Sequence, residues 1–95
     1  MTEAASRLTW RITAPLHFRV WEGEYIVYHT LSGDTHLLGP AAACLLLKLQ
    51  QTPADTAGLC NALAQQLNVL MDEAFILQTG DLLADLASLL LIERH

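Results

Sequence analysis

Basic residues are scarce in this chain: five lysines and arginines stand against ten acidic residues among 95, a formal net charge of −5. Arg7, Arg11 and Arg19 gather near the start, while Lys48 and Arg94 stand alone. Neutralising a polyanion takes a patch of cations, so nucleic acid is excluded as an expected partner. Cysteine is nearly absent too. Cys44 and Cys60 fall inside apolar helical patterns with no Cys or His at zinc-ligand spacing. They read as small buried hydrophobes of a reduced, cytoplasmic protein. No secretory signal is expected, because Glu3 and Arg7 lie in a polar lead without an apolar stretch. No leucine run is long enough to span a membrane, since Lys48 breaks the first and Asp81 and Asp85 the last. Phosphate-cradling glycine loops, metalloprotease motifs and a C-x-x-C pair are all missing, and neither metal nor cofactor is expected.

What remains is apolar: 53% of the residues are hydrophobic. That content in so short a chain fits one domain over residues 1–95, able to fold alone but without a deep enclosed active site. Residues 1–14 read as a loose lead or a marginal strand around Leu8 to Ile12. Leu16 to Trp21 alternates, with Leu16, Phe18 and Val20 on one face and His17, Arg19 and Trp21 on the other. Glu22-Gly23-Glu24 turns the chain into a second strand, Tyr25 to Thr30. A further turn at Ser32-Gly33-Asp34, where Gly33 supplies a positive φ, leads to a third strand, Thr35 to Leu38. Short loops favour an antiparallel meander over residues 16–38, with the second strand central and the first and third as edges.

From Pro40 the apolar period changes to that of a helix. Proline suits the first helical turn, Ala42, Leu45, Leu46 and Leu49 share a stripe, and Gln50-Gln51-Thr52-Pro53 ends it. A second helix starts with Asp55 or Thr56 as N-cap and aligns Leu59, Leu63 and Leu67. A third opens at Met71 to Glu73 and buries some of Phe75, Ile76, Leu82, Leu83, Leu86, Leu89 and Leu90. Gly80 lies within it, at a cost of about 1 kcal/mol relative to alanine, which predicts either a kink or a close approach to its backbone. Leu91-Ile92 adds a short extension. The fold class is α+β, winged-helix-like: a three-stranded antiparallel sheet followed by a three-helix part over 40–92.

The residues speak against three kinds of chemistry. A two-residue loop at Ser32-Gly33 would place His29 opposite His36, with His17 as a third metal nitrogen, but a longer loop separates the pair. Ser32, Asp34 and His36 lie in one tight turn, whereas a catalytic triad is assembled from separate elements; local hydrogen bonds from Asp34 and Thr35 fixing the turn are the simpler reading. No catalytic residue is assigned. The second helix has no Lys or Arg, and the third carries Asp72, Glu73, Asp81 and Asp85, which phosphates would repel. The third strand, by contrast, has an edge without a protein partner, and an apolar strip is expected between it and the third helix. A homodimer covering the same surface is the alternative occupant.

The run Y-I-V-Y-H-T-L-S-G-D-T-H-L-L-G-P-A-A-A at 25–43, the preceding Trp21 and the closing L-L-A-D-L-A-S-L-L-L-I-E resemble the PqqD-like peptide chaperones, particularly those of HPr-rel-A systems. Ser32 to Leu38 is the most specific part. Similarity in element order covers the domain from residue 16 onward, with the helices matched only by leucine spacing. The resemblance implies a RiPP recognition element, a winged-helix-like module that is not an enzyme. It would bind the leader of a ribosomally made precursor peptide and present it to a peptide-modifying enzyme. The leader would pair with Thr35, His36, Leu37 and Leu38, and the helix side would offer Phe75, Thr79, Leu82, Leu83 and Leu86. The family's frequent Leu-Asn after the third strand is here Leu38-Gly39. The rival functions are a small acidic winged-helix regulator and a dimerisation module.

Overall fold

The computed structural model of the chain describes residues 9–94. Its elements run β1 (Trp10–Ile12), β2 (Leu16–Trp21), β3 (Glu24–His29), β4 (Thr35–Leu38), α1 (Pro40–Gln51), α2 (Thr56–Leu67), α3 (Glu73–Ser88) and β5 (Ile92–Arg94). This is the α+β class, with a three-stranded antiparallel sheet in the order β2-β3-β4 followed by three helices. Glu22 and Gly23, both at positive φ, close the first hairpin in two residues, so that Trp21 faces Glu24. That turn twist matches the strands it joins.

The helices begin and end where their chemistry directs. Pro40 sits in the first turn of α1. Asp55 Oδ1 accepts the Gly58 N–H at 2.7 Å, and Asp72 Oδ1 accepts the Phe75 N–H at 2.8 Å. Each cap satisfies a donor that the helix itself leaves unpaired. Asn68 ends α2 in the left-handed conformation, and Leu90 does the same after α3. In both, the next N–H reaches back five residues, Val69 to Ala64 O and Leu91 to Leu86 O, which terminates the helix. Of the two alternatives at Gly80, the close approach is not found, because a side chain there would meet nothing within 4 Å.

Leu45, Leu46, Leu59, Leu83, Leu86, Leu91 and Ile92 are fully buried and join the inner face of the sheet through Leu16 and Val27. Each such side chain contributes about 1.5–3 kcal/mol by leaving water. Leu67, at the end of its stripe, is 43% exposed, as is Leu89, while Leu90 lies largely in solvent at 73%. Of the two alternatives for the lead, the strand is found at Trp10–Ile12; residues 1–8 lie outside the described part. β1 pairs antiparallel with β5, so Ile12 faces Ile92, and Trp10 bridges to Ala54. Trp10 is buried, donates its indole N–H to Thr56 Oγ1 at 3.1 Å, and lies under the Arg94 guanidinium.

Candidate functional site

Two main-chain bonds set the phase of the sheet. His29 N–H donates to Asp34 O at 2.9 Å, so His29, Val27 and Tyr25 turn their main-chain groups toward β4. Thr30 N–H donates to Pro15 O at 3.4 Å, so Tyr28 and Ile26 turn theirs toward β2. By alternation His36 and Leu38 bond back to β3, while Thr35 and Leu37 direct both N–H and C=O away from the sheet. β4 ends the strand order, and no partner reaches those groups among the described residues. The Thr35 and Leu37 side chains lie on the outer face of the sheet, beside Tyr28 and Ile26, and Leu37 is 62% exposed. His36 and Leu38 face inward.

The other edge differs. On β2 the outward main-chain positions are Leu16, Phe18 and Val20, and the Leu16 N–H is taken by Gln50 Oε1 at 3.0 Å. β2 also carries Arg19, whereas Thr35-His36-Leu37-Leu38 carries no carboxylate, Lys or Arg. Charge and capping groups are the means by which proteins discourage strand addition. β4 has neither.

A buried imidazole holds the loop that leads into β4. Ser32 N–H lies 3.1 Å from His29 Nδ1, and because that N–H can only donate, Nδ1 accepts and the neutral ring carries its proton on Nε2. Nε2 then donates to Thr13 Oγ1 at 2.8 Å, and the Thr13 hydroxyl donates to Leu90 O at 2.7 Å. The relay ties the β3–β4 loop to the turn after α3. Ser32 Oγ accepts the Asp34 N–H at 3.2 Å. The side chains that fix the turn are thus Ser32 and His29, not Asp34 and Thr35 as expected from their types. The four-residue loop Thr30–Gly33 sets His29 against Asp34 and His36 against Val27, while His17 lies on the outer face beside Tyr28. The three imidazoles are therefore not brought together.

On the helix side, the expected residues divide. Thr79, Leu83 and Leu86 are buried, and Thr79 Oγ1 donates to Phe75 O at 2.9 Å within α3. These three support the face from beneath. Phe75 and Leu82 are half-buried, and both pack on the core cluster that Leu38 also touches. β4 packs chiefly on β3, and α3 on α2, β5 and α1, so the two halves meet through shared core and not by extensive direct contact. Ile76 and Leu77 add exposed apolar surface on α3 that was not among the expected contacts.

Comparison of the chain with family models, curated proteins and solved structures finds no match. Among the described residues no helix is long and apolar enough to cross a membrane.

Proposed function

We propose that the chain is a peptide-binding chaperone that captures an extended peptide by strand addition on β4. The winged-helix-like, PqqD-type reading of the sequence makes that peptide the leader of a ribosomally made precursor, held in the cytoplasm for a peptide-modifying enzyme. The observation that carries the proposal is the outward main chain of Thr35 and Leu37 on an uncharged edge, beside a second edge occupied at Leu16. Main-chain bonds supply affinity for any extended partner, and side-chain pockets along the strand supply selectivity. Leu37 on the outer face and Phe75, Leu82, Ile76 and Leu77 on α3 are apolar groups with surface left to contribute. No chemistry is required of the domain: holding a precursor beside an enzyme raises its effective concentration.

Thr35→Pro tests the mode. Both candidate N–H groups on β4, at Thr35 and Leu37, point outward, so proline at Thr35 removes a donor to the incoming strand and none to β3. Loss of about 0.5–1.5 kcal/mol of main-chain bonding is expected, roughly a two- to tenfold weaker Kd for a leader peptide, with an unchanged melting temperature. Backbone-amide shifts on titrating that peptide should concentrate at residues 34–38 and on α3. Normal binding by the proline variant, or shifts elsewhere, would reject strand addition here.

A further inference from the structure

Lys48 marks a second site, away from the outward edge of β4 but sharing Tyr25, the strand partner of Leu38, in its lining. It stands half-buried in the last turn of α1, and it lines a cleft of about 580 Å³ between α1 and α2. Gln51 shares its helix, Gln65 and Gln66 face it from the end of α2, and Leu47 and Leu67 supply apolar wall. The chain carries ten acidic residues, yet none of those described lines this cleft. The other cations near the ends of the chain are engaged: Arg11 pairs with Glu93 at 2.9 Å, and Arg94 lies over Trp10. Lys48 makes no ion pair among the described residues.

We propose that this cleft binds a monocarboxylate carried on an apolar body. A single ammonium balances a single negative charge, and the neighbouring glutamine amides offer further N–H donors to the same oxygens. A dianion would bring more charge than one lysine offsets in a partly desolvated place. The volume falls within the range of about 300–1,000 Å³ typical of small-ligand sites, and the leucine walls suit a hydrocarbon portion. A short-chain acid and the C-terminal residue of a peptide share this chemistry.

Cys44 lines the same cleft, while Cys60 is buried, so the rate of Cys44 alkylation by iodoacetamide reports occupancy. The probes are hexanoate, the tripeptide acid acetyl-Ala-Ala-Leu, and the amide of that tripeptide. At a concentration tenfold above its Kd, a bound acid should slow alkylation about tenfold. The amide should protect at least tenfold less well at equal concentration, and Lys48→Met should abolish the difference while Lys48→Arg keeps it. Protection by hexanoate alone assigns the cleft to a free acid, and by the tripeptide acid alone to a peptide terminus. Protection by the tripeptide amide equal to that by its acid where the acid protects, or protection by neither acid, overturns the proposal whether or not the lysine variants fold.

Discussion

His29 shows how much one side chain can organise. Its two nitrogens connect Ser32 and Thr13, and through Thr13 the carbonyl of Leu90, so three distant segments share one ring. Replacing it by phenylalanine keeps an aromatic body but removes the acceptor for the Ser32 N–H and the donor to Thr13. About 1–3 kcal/mol of stability should be lost, read from urea unfolding, and the Ser32 amide should exchange faster with solvent. Unchanged stability and exchange would show that the ring only fills space. Cys44 gives a pH effect of known sign. Burial holds its thiol above the ordinary value of 9.0, which favours the protonated form in the folded state. The stability contributed by the neutral thiol is complete below that value and lost as pH rises through the raised one. The Cys44→Ala variant should therefore lose less stability than the native chain between neutral pH and pH above 9.0.

At the scale of elements, α3 can be improved. Gly80 has open space around it and no need of a positive φ, so Gly80→Ala should raise stability by about 0.5–1 kcal/mol, visible as a higher melting temperature. A lower one would reveal a close neighbour of the glycine backbone. The hairpins and all three helices were legible from local rules, because alternation, Gly33, Pro40, Asp55 and Asp72 act within a few residues of themselves. The β1–β5 ribbon was not. Strands of three residues carry almost no periodicity, and the pairing of Trp10 with Arg94 joins opposite ends of the chain. The site was legible in part: the bare edge at Thr35 to Leu38 followed from strand order, but the phase that turns both Thr35 and Leu37 outward depended on the loop length. Which α3 leucines sink was equally hidden, since Leu82, Leu83 and Leu86 lie within one turn and a half of each other. The Gln50 side chain on Leu16 had no signal at all, being a contact between elements 34 residues apart.

Over the whole molecule, the terminal ribbon closes the structure. Leu91 and Ile92 are buried in the core, and Arg94 covers Trp10. Removing residues 92–94 should cost about 2–5 kcal/mol, chiefly through Ile92, and lower the midpoint of thermal unfolding; an unaltered midpoint would mean that the ribbon is ornamental to folding. The Gln50 contact has a consequence of a different kind. A sheet with two receptive edges can be a link in a chain of any length, each molecule adding to the last, whereas a sheet with one can be paired only once. Gln50 takes one of the three outward N–H groups on β2, which shortens that edge from the Leu16 end and leaves Phe18 and Val20 open. On β4 itself a peptide and a second copy would compete for the same outward groups of Thr35 and Leu37, so one occupant there would exclude the other.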